Sequence, residues 1–255
     1  MTKLKEHKPS KMEALKAMTP ADRRRAIFDG IMNNAMFIII ALVIIYVAIK
    51  NPRFLSVPSL VNIISLTAAK LPIALGVGGC IILAGTDISA GRQVGLAACI
   101  SAGLQLTTNK LFPGLQVLPI PVVLLCVLVA CALVGLVNGF FMAKFKLHPF
   151  IVTLSTQLIV YGLVLLFMQL GTNGGQTLSG MSEGYRNFII KPLFTLKTSS
   201  GPVTVPRYVL YSAIITALVW VIWNKTASGK NMYAVGSNEE AANVSGVNVS
   251  KTIIL

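Results

Sequence analysis

Charged residues are scarce in this chain. Only 12% of its 255 residues are charged, while 55% are hydrophobic and the mean hydropathy is +0.75. A soluble domain usually has about 25% charged residues. The composition therefore excludes an ordinary soluble domain and predicts an all-α fold, a polytopic bundle of transmembrane helices.

Histidine and cysteine, the usual soft metal ligands, are also few. The chain has 2 histidines and 4 cysteines. His7 and His148 are far apart, and the cysteines lie inside apolar runs without a C-x-x-C spacing. Neither spacing suggests a metal site, and no pair of a nucleophile and a general base is visible. We therefore expect no metal, no cofactor and no enzymatic activity in this chain.

Acids are outnumbered by bases, and the formal charge is +14. This excess does not indicate a nucleic-acid partner, because the basic residues lie in the amino-terminal tail and in short loops between apolar runs. The positive-inside rule predicts that the tail, residues 1–30, lies in the cytoplasm. The remainder, residues 31–255, is predicted to be one transmembrane domain surrounded by lipid.

The end of the tail contains a helix-start pattern. Thr19 is a favoured N-cap residue, Pro20 suits the first helical position, and Asp22 places an acid in the first turn. This pattern predicts a short surface helix that leads into the membrane. A solvated basic tail is an equally good interpretation of the same residues.

Six apolar stretches approach or reach the roughly 20 residues that a helix needs to cross a bilayer. They are residues 31–49, 61–84, 87–106, 121–141, 150–170 and 208–223. From a cytoplasmic amino terminus, six crossings place residues 142–149 inside, loop 171–207 outside and loop 224–252 inside. Because the sequence turns apolar again at residues 252–255 and ends there, we expect the chain to be truncated before its remaining spans.

Small residues predict how the spans pack. Gly135 and Gly139 are four positions apart in the fourth predicted span, and Asn138 lies between them. Lipid provides no hydrophobic force between helices, so small residues let backbones approach closely and polar side chains join neighbouring helices by hydrogen bonds. We interpret these three residues as helix-packing positions.

The octapeptide at residues 85–92, Gly-Thr-Asp-Ile-Ser-Ala-Gly-Arg, places polar groups between apolar stretches. Residues 71–84 before it form about 21 Å of helix at 1.5 Å per residue, against a hydrocarbon core of about 30 Å. Residues 94–106 after it form a still shorter helix. The third span must therefore take in part of the octapeptide, which draws it into the inner half of the membrane.

Asp87 and Arg92 are costly in lipid, so they should face protein or a wet cavity. Positions five apart on a continuous helix do not face each other, so a direct ion pair needs a break, which Gly85 and Gly91 could provide. Broken helices at membrane depth line transport pathways. The candidate path or gate residues are therefore Gly85, Thr86, Asp87, Ser89, Gly91, Arg92 and Gln93. Alternatively, Asp87 is only the N-cap of the third span, and Arg92 extends to the cytoplasm.

The second predicted cytoplasmic loop contains the sequence of a short capped helix. Ser237 and Glu240 have the spacing of a capping box, two alanines follow, and Gly246 can end the helix. A rigid helix on the cytoplasmic face is suited to docking on a partner. The candidate coupling residues are Ser237, Asn238, Glu239, Glu240, Ala241, Ala242, Ser245 and Gly246.

Together, the octapeptide and this loop resemble the permease subunits of bacterial ATP-binding-cassette importers for ribose, xylose and galactosides. In that family a Gly-x-Asp-Leu-Ser-x-Gly element precedes the third span, and residues 85–91 read Gly-Thr-Asp-Ile-Ser-Ala-Gly. The family's coupling loop combines Ala-x-Gly-x-Asn, Glu-Ala-Ala and Ser-Gly. The other matching stretches are residues 136–139, 149–154, 234–238, 240–242 and 245–246. The sequence after Gly91 is most similar to the galactose and methyl-galactoside members.

The resemblance implies that two permease copies form the pore, that each coupling helix docks on an ATP-binding subunit, and that an extracytoplasmic sugar-binding protein delivers the substrate. It also implies a multi-pass location in the bacterial cytoplasmic (inner) membrane and a monosaccharide such as galactose or methyl-galactoside as substrate. Gly229-Lys230 is followed by Asn231 and lacks the upstream glycine of a phosphate loop, so ATP hydrolysis should come from a separate subunit. The alternative is a secondary transporter that couples uptake to protons or ions through Asp87.

Overall fold

The computed structural model of the chain describes residues 19–108, 110–171, 174–198 and 201–254, and these residues are mostly helical. Contacts between Cα atoms divide the chain into two units, Met1–Leu60 and Val61–Leu255. Most of the predicted cytoplasmic tail, residues 1–18, lies outside the described residues. The predicted tail boundary at residue 30 falls inside a helix and stays a prediction.

The first unit contains helix α1 (Pro20–Asn33), helix α2 (Ala35–Lys50) and a short 3-10 helix, Pro52–Leu55. The predicted helix start is confirmed, because the Thr19 hydroxyl accepts a hydrogen bond from the Asp22 backbone N–H at 3.3 Å. A single residue, Asn34, separates α1 from α2, and its side-chain amide donates to the carbonyl of Gly30. The chain bends by 71° at this point.

The remaining helices follow in chain order. They are α3 (Val57–Ile82), α4 (Ala90–Gln105), α5 (Ile120–Phe145), α6 (Pro149–Met168), α7 (Glu183–Ile190), α8 (Arg207–Lys225), α9 (Ala227–Ser237), α10 (Glu239–Val244) and α11 (Val249–Ile254). Helix α4 packs against both α5 and α6, and α11 packs against α5. Helix α5 thus packs against the helix that follows the octapeptide and against α11, at the end of the predicted coupling loop.

Among the described helices, α3, α5, α6 and α8 are long and apolar enough to cross a membrane. The bent pair formed by α1 and α2 adds a fifth candidate span if it is counted as one, where six were predicted. The predicted third span is missing from both counts. Helix α4 has 16 residues and is about 24 Å long, because it starts at Ala90 and leaves most of the octapeptide outside the helix.

The predicted exterior loop is more ordered than the sequence suggested. It contains α7 and an antiparallel hairpin of β1 (Pro192–Thr198) and β2 (Gly201–Pro206), in which Leu196 lies opposite Val203. The all-α expectation is therefore wrong for this segment. The strands contain Val, Thr and Phe, which favour extended backbone, but each is too short to stand out beside the apolar spans.

The carboxyl end of α4 is anchored to this loop by Gln105, whose side chain is almost fully buried. Its amide nitrogen donates to the carbonyl of Leu118 at 2.7 Å, and its amide oxygen accepts from the Ser182 hydroxyl at 2.5 Å. The backbone N–H of Ser182 also donates to the Gln105 carbonyl at 2.9 Å. Gln105 thus joins the segment that contains Leu118 to the predicted exterior loop, which contains Ser182, at one end of the bundle.

Close packing at this end predicts that Gly103→Ala is destabilising. The added Cβ would lie 2.6 Å from Leu111 Cδ1 and 3.0 Å from Phe167 Cε1, and Leu111 is buried and has little room to move. Overpacking of this kind costs about 1–3 kcal/mol. We expect a lower thermal unfolding temperature in detergent micelles.

Gly95→Ala is the matched control on the same helix, because nothing lies within 4 Å of its added Cβ. Alanine is the better helix former, so this variant should unfold at the parent temperature or slightly above it. Equal destabilisation by both variants would contradict the packing explanation.

Candidate functional site

The polar octapeptide begins at a sharp helix end. The backbone N–H of Gly85 donates to the Cys80 carbonyl at 2.9 Å, and that of Ala84 donates to the Ile81 carbonyl at 3.0 Å. This is the hydrogen-bond pattern of a Schellman cap, and Ala84 occupies its left-handed position at φ +56°. The expected break is confirmed, but its left-handed residue is Ala84 rather than Gly85. Gly91, the other expected breaker, lies inside α4.

A fully buried serine hydroxyl holds the break together. Ser89 Oγ donates to Asp87 Oδ1 at 2.6 Å and accepts from Gln93 Nε2 at 3.0 Å and from Asn138 Nδ2 at 3.3 Å. Asp87 Oδ1 also accepts from the Ser89 backbone N–H at 2.8 Å. One hydroxyl therefore links the break, the first turn of α4 and the middle of α5.

Helix α6 completes this network from the other side. Thr156 donates to Asn138 Oδ1 at 2.5 Å. Thr153 Oγ1 accepts from the Ile88 backbone N–H at 3.3 Å and lies 3.2 Å from the Thr86 carbonyl, to which it can donate. Buried polar groups are costly unless they are hydrogen-bonded, and the network gives partners to the side chains of Asn138, Thr153 and Thr156. The break is thus attached to both α5 and α6.

Asp87 and Arg92 have different partners. The Asp87 carboxylate is engaged by Ser89, whereas the Arg92 guanidinium lies over the ring of Tyr161, 4.3 Å from its centroid. The interpretation of Asp87 as N-cap is wrong in detail, because α4 starts at Ala90 and the residue before it is Ser89. Asp87 instead forms an Asx turn ahead of the helix, in which its carboxylate accepts from the backbone N–H two residues further on, as aspartate commonly does.

A cavity of about 1510 Å³ opens beside the break. Of the candidate path residues, Gly85, Thr86 and Asp87 line it, together with Asn138. The other candidates, Ser89, Gly91, Arg92 and Gln93, are not among its lining residues. The octapeptide is therefore divided into a part that faces the cavity and a part that holds the fold.

The three predicted packing residues differ in their surroundings. Asn138 is buried and joined to Ser89 and Thr156, as described above. A Cβ on Gly139 would lie 2.8 Å from the Cα of Ile254, so α11 crosses α5 closely there. Gly135 has nothing within 4 Å of such a Cβ and lines the cavity instead. The described residues give Gly135 no close neighbour, and its packing role stays a prediction.

The predicted coupling helix is present as α10, but its cap differs from the prediction. The Asn238 side chain, not Ser237, is the N-cap and accepts from the Ala241 backbone N–H at 2.9 Å. Ser237 ends the preceding helix α9. Two exposed acids, Glu239 and Glu240, occupy the first turn, where their negative charges interact favourably with the positive end of the helix dipole.

Glycine ends α10, as expected. Gly246 has φ +84°, and the backbone N–H of Val247 returns to the Ala242 carbonyl at 3.0 Å. Ala242 is the buried residue of the helix. Val244, in the same short helix, is 90% exposed.

Helix α9 connects the coupling helix to the break. A Cβ on Gly236 would overlap the carbonyl oxygen of Ile82, the last residue of α3. One turn earlier, Met232 Cε lies 3.7 Å from the Cβ position of Gly79. The Cβ position of Gly78 lies closer still, 3.2 Å from the ring of Trp223 at the end of α8. Glycines on α3 and α9 thus let the two helices touch two residues before Ala84.

Several residues of this site were not found by sequence reasoning. Thr153 lies in the stretch 149–154 that carried the resemblance, but no role was assigned to it. Gly236 likewise lies in the matching stretch 234–238, again without an assigned role. Thr156 and Val244 carried no separable signal, because single threonines and valines are common in such sequences.

The shared hydroxyl predicts that Ser89→Ala is destabilising. The change leaves Gln93 Nε2 and Asn138 Nδ2 without their acceptor, and a buried unsatisfied group costs about 1–3 kcal/mol. We expect a fall of this size in the free energy of unfolding, followed as the thermal unfolding temperature in micelles. The control is Ser155→Ala on α6, whose exposed hydroxyl bonds only to its own helix and should be neutral. A stable Ser89→Ala protein would contradict the role of the network.

The chain was compared with known proteins. The family model described as "Branched-chain amino acid transport system / permease component" matches residues 59–255. The galactose/methyl galactoside import permease protein MglC of Haemophilus influenzae is 40% identical over 230 residues, which are 89% of this chain and 66% of that protein. MglC of Escherichia coli is 37% identical over 91% of this chain and 68% of its own length.

A ribose import permease protein, RbsC of Haemophilus influenzae, is 31% identical over 87% of this chain and 62% of its own length. The chain thus spans about two thirds of the length of these relatives. No solved structure matches it. The family match, the identities and the apolar helices establish that the chain belongs to this family of polytopic, helical membrane permeases.

Proposed function

We propose that this chain forms part of the permease subunit of an ATP-driven sugar importer in the bacterial cytoplasmic (inner) membrane. The substrate is a monosaccharide such as galactose or a methyl galactoside, as the names of the MglC relatives indicate. The more distant relatives include ribose permeases, so the sugar class is better supported than the individual sugar. The subunit itself is a pore component and not an enzyme.

One observation carries the mechanism: the contact of Gly236 with the last carbonyl of α3. It joins α9, which leads directly into the coupling helix, to the residue from which the polar break starts. Because a backbone-to-backbone contact has no flexible side chain to absorb movement, a displacement of α10 is passed to the break. The break in turn carries the cavity-lining residues Thr86 and Asp87.

Helix α10 is the docking element for an ATP-binding subunit. It is capped at both ends, its acids are exposed, and Val244 presents an apolar side chain to solvent. An isolated apolar side chain on a rigid helix can insert into a groove of a partner, as in helix-in-groove recognition. ATP hydrolysis belongs to that partner, since this chain lacks a phosphate loop.

The cavity beside the break is the cytoplasmic half of the sugar path. Its wall offers Asp87, Asn138 and the backbone of the break, which are groups that hydrogen-bond to hydroxyls. Ser89, Arg92 and Gln93 hold this wall in position and do not line the cavity. A second copy of the permease completes the pore, and a sugar-binding protein delivers substrate to the exterior segment that contains α7 and the hairpin.

The ion-coupled alternative has little support. The family and its relatives are permease components of import systems. In addition, the Asp87 carboxylate already accepts two hydrogen bonds from Ser89, so it has a protein partner without an ion. Sugar uptake driven by a proton or sodium gradient in ATP-free vesicles would revive this alternative.

The decisive experiment, in the full-length importer, distinguishes binding of the ATP-binding subunit to α10 from the transfer of movement between α9 and α3. Val244→Asp should abolish co-purification with the ATP-binding subunit, because it buries a charge in the docking groove. Gly236→Ala should still co-purify but lose sugar-stimulated ATP hydrolysis by roughly 5- to 150-fold, if overpacking costs about 1–3 kcal/mol in the coupled movement. The measurements are pull-down and ATPase rate in proteoliposomes.

Gly162→Ala is the control for Gly236→Ala, since nothing lies within 4 Å of its added Cβ on α6. Its coupling should equal that of the parent. If Gly236→Ala does not fold, a crosslink by a bifunctional thiol reagent between Gly79→Cys and Met232→Cys, in a cysteine-free background, tests the neighbouring contact between α3 and α9. Coupling that persists when the two helices cannot separate supports transmission through a rigid contact, whereas loss of coupling in the crosslinked protein overturns it.

Removal of the charge at the cavity wall tests the path. Asp87→Asn keeps an oxygen that accepts from Ser89, so the unfolding temperature should stay close to that of the parent while the sugar uptake rate falls. Asp87→Ala removes the acceptor and should lower both. Equal loss of stability and uptake in Asp87→Asn would assign a purely structural role to this residue.

A further inference from the structure

The first unit contains a surface that the importer mechanism does not use. Helix α2 exposes apolar side chains on all sides, as a lipid-facing span does, and α1 leaves it at 71° after the single residue Asn34. If α2 runs along the bilayer normal, α1 lies near the plane of the membrane surface. An N-terminal cytoplasmic helix in this position meets the headgroups of the inner leaflet.

One face of α1 combines apolar and basic side chains. At about 100° per residue, Arg24, Arg25, Phe28, Ile31 and Met32 fall within an arc of about 120°. The three apolar members are all exposed, at 62%, 49% and 58% in chain order. Apolar and cationic groups on one face are the pattern of helices that lie in a membrane interface.

The acids of α1 lie outside this arc. Asp22 and Asp29 are both exposed and fall about 40–60° beyond Arg25 on the helical wheel. They would therefore face the cytoplasm when the apolar arc faces the lipid. Arg25 lies beside both acids, three positions from Asp22 and four from Asp29, whereas Arg24 lies well away from them around the helix. Arg24 is therefore the charge that best complements an anionic surface, and Arg25 marks the edge of the face.

We propose that α1 is an interfacial helix that binds the anionic lipid headgroups of the cytoplasmic leaflet. Phe28, Ile31 and Met32 insert below the headgroups, and Arg24 and Arg25 extend to their phosphates. The helix thereby fixes the entry of α2 into the membrane. This proposal requires only that α2 is in the bilayer and is independent of the sugar and of ATP coupling.

Spin labels on the full-length protein in vesicles test the proposal. In a cysteine-free background, labels at Met32→Cys and Asp29→Cys are compared in vesicles of phosphatidylcholine with and without phosphatidylglycerol. We expect the label at position 32 to be accessible to oxygen and shielded from a water-soluble nickel complex, and the label at position 29 to show the reverse. Adding phosphatidylglycerol should increase the difference.

Charge removal provides the second arm. The double variant Arg24→Gln, Arg25→Gln should lose the effect of phosphatidylglycerol, whereas the control Arg53→Gln, in the 3-10 helix after α2, should keep it. Equal nickel accessibility at positions 29 and 32, or no response to phosphatidylglycerol, overturns the proposal. Shielding of position 32 only when the ATP-binding subunit is present, or spin–spin broadening between labels at this position, would assign the face to that subunit or to a second copy.

Discussion

The hydrogen bonds of one buried hydroxyl constrain the centre of this molecule. Most side chains of the bundle face outward and are apolar, so packing alone provides few specific contacts between its helices. Ser89 is fully buried and bonds to groups on the break, on α4 and on α5, and Asn138 extends the link to α6. In a low-dielectric interior the loss of one partner leaves the others unsatisfied. The network therefore fixes how three helices meet.

That constraint also explains how an interrupted helix is tolerated at membrane depth. Backbone groups freed at the end of α3 must find partners, because lipid offers none. Some are satisfied by the cap at Ala84 and Gly85, and others by Thr153. The same break places Thr86 and Asp87 on the cavity wall. An element that is costly to bury thus lies both on the cavity wall and next to the contact between α3 and α9.

Sequence reasoning located both candidate regions but not their details. Apolar run lengths predicted that part of the octapeptide lies within the membrane, and the structure confirms an interruption between two helices there. They did not show that the interruption shortens α4 to 16 residues. The coupling helix was expected from its residues, yet the cap shifted from Ser237 to Asn238 because α9 continues through Ser237. Cap residues are adjacent and chemically alike, so a neighbouring helix decides between them.

The sequence by itself determined the membrane environment, the predicted orientation and the family, because these depend on composition, run length and short contiguous motifs. It also predicted that Asp87 faces protein or a wet cavity, because a charge exposed to lipid is costly. Only the tertiary structure decided that the partner of Asp87 is Ser89 and that Arg92 lies over Tyr161 instead. It alone brought Gly236 against Ile82, residues more than 150 positions apart in the chain. Such contacts depend on how several helices pack at once, which no local pattern of residues encodes.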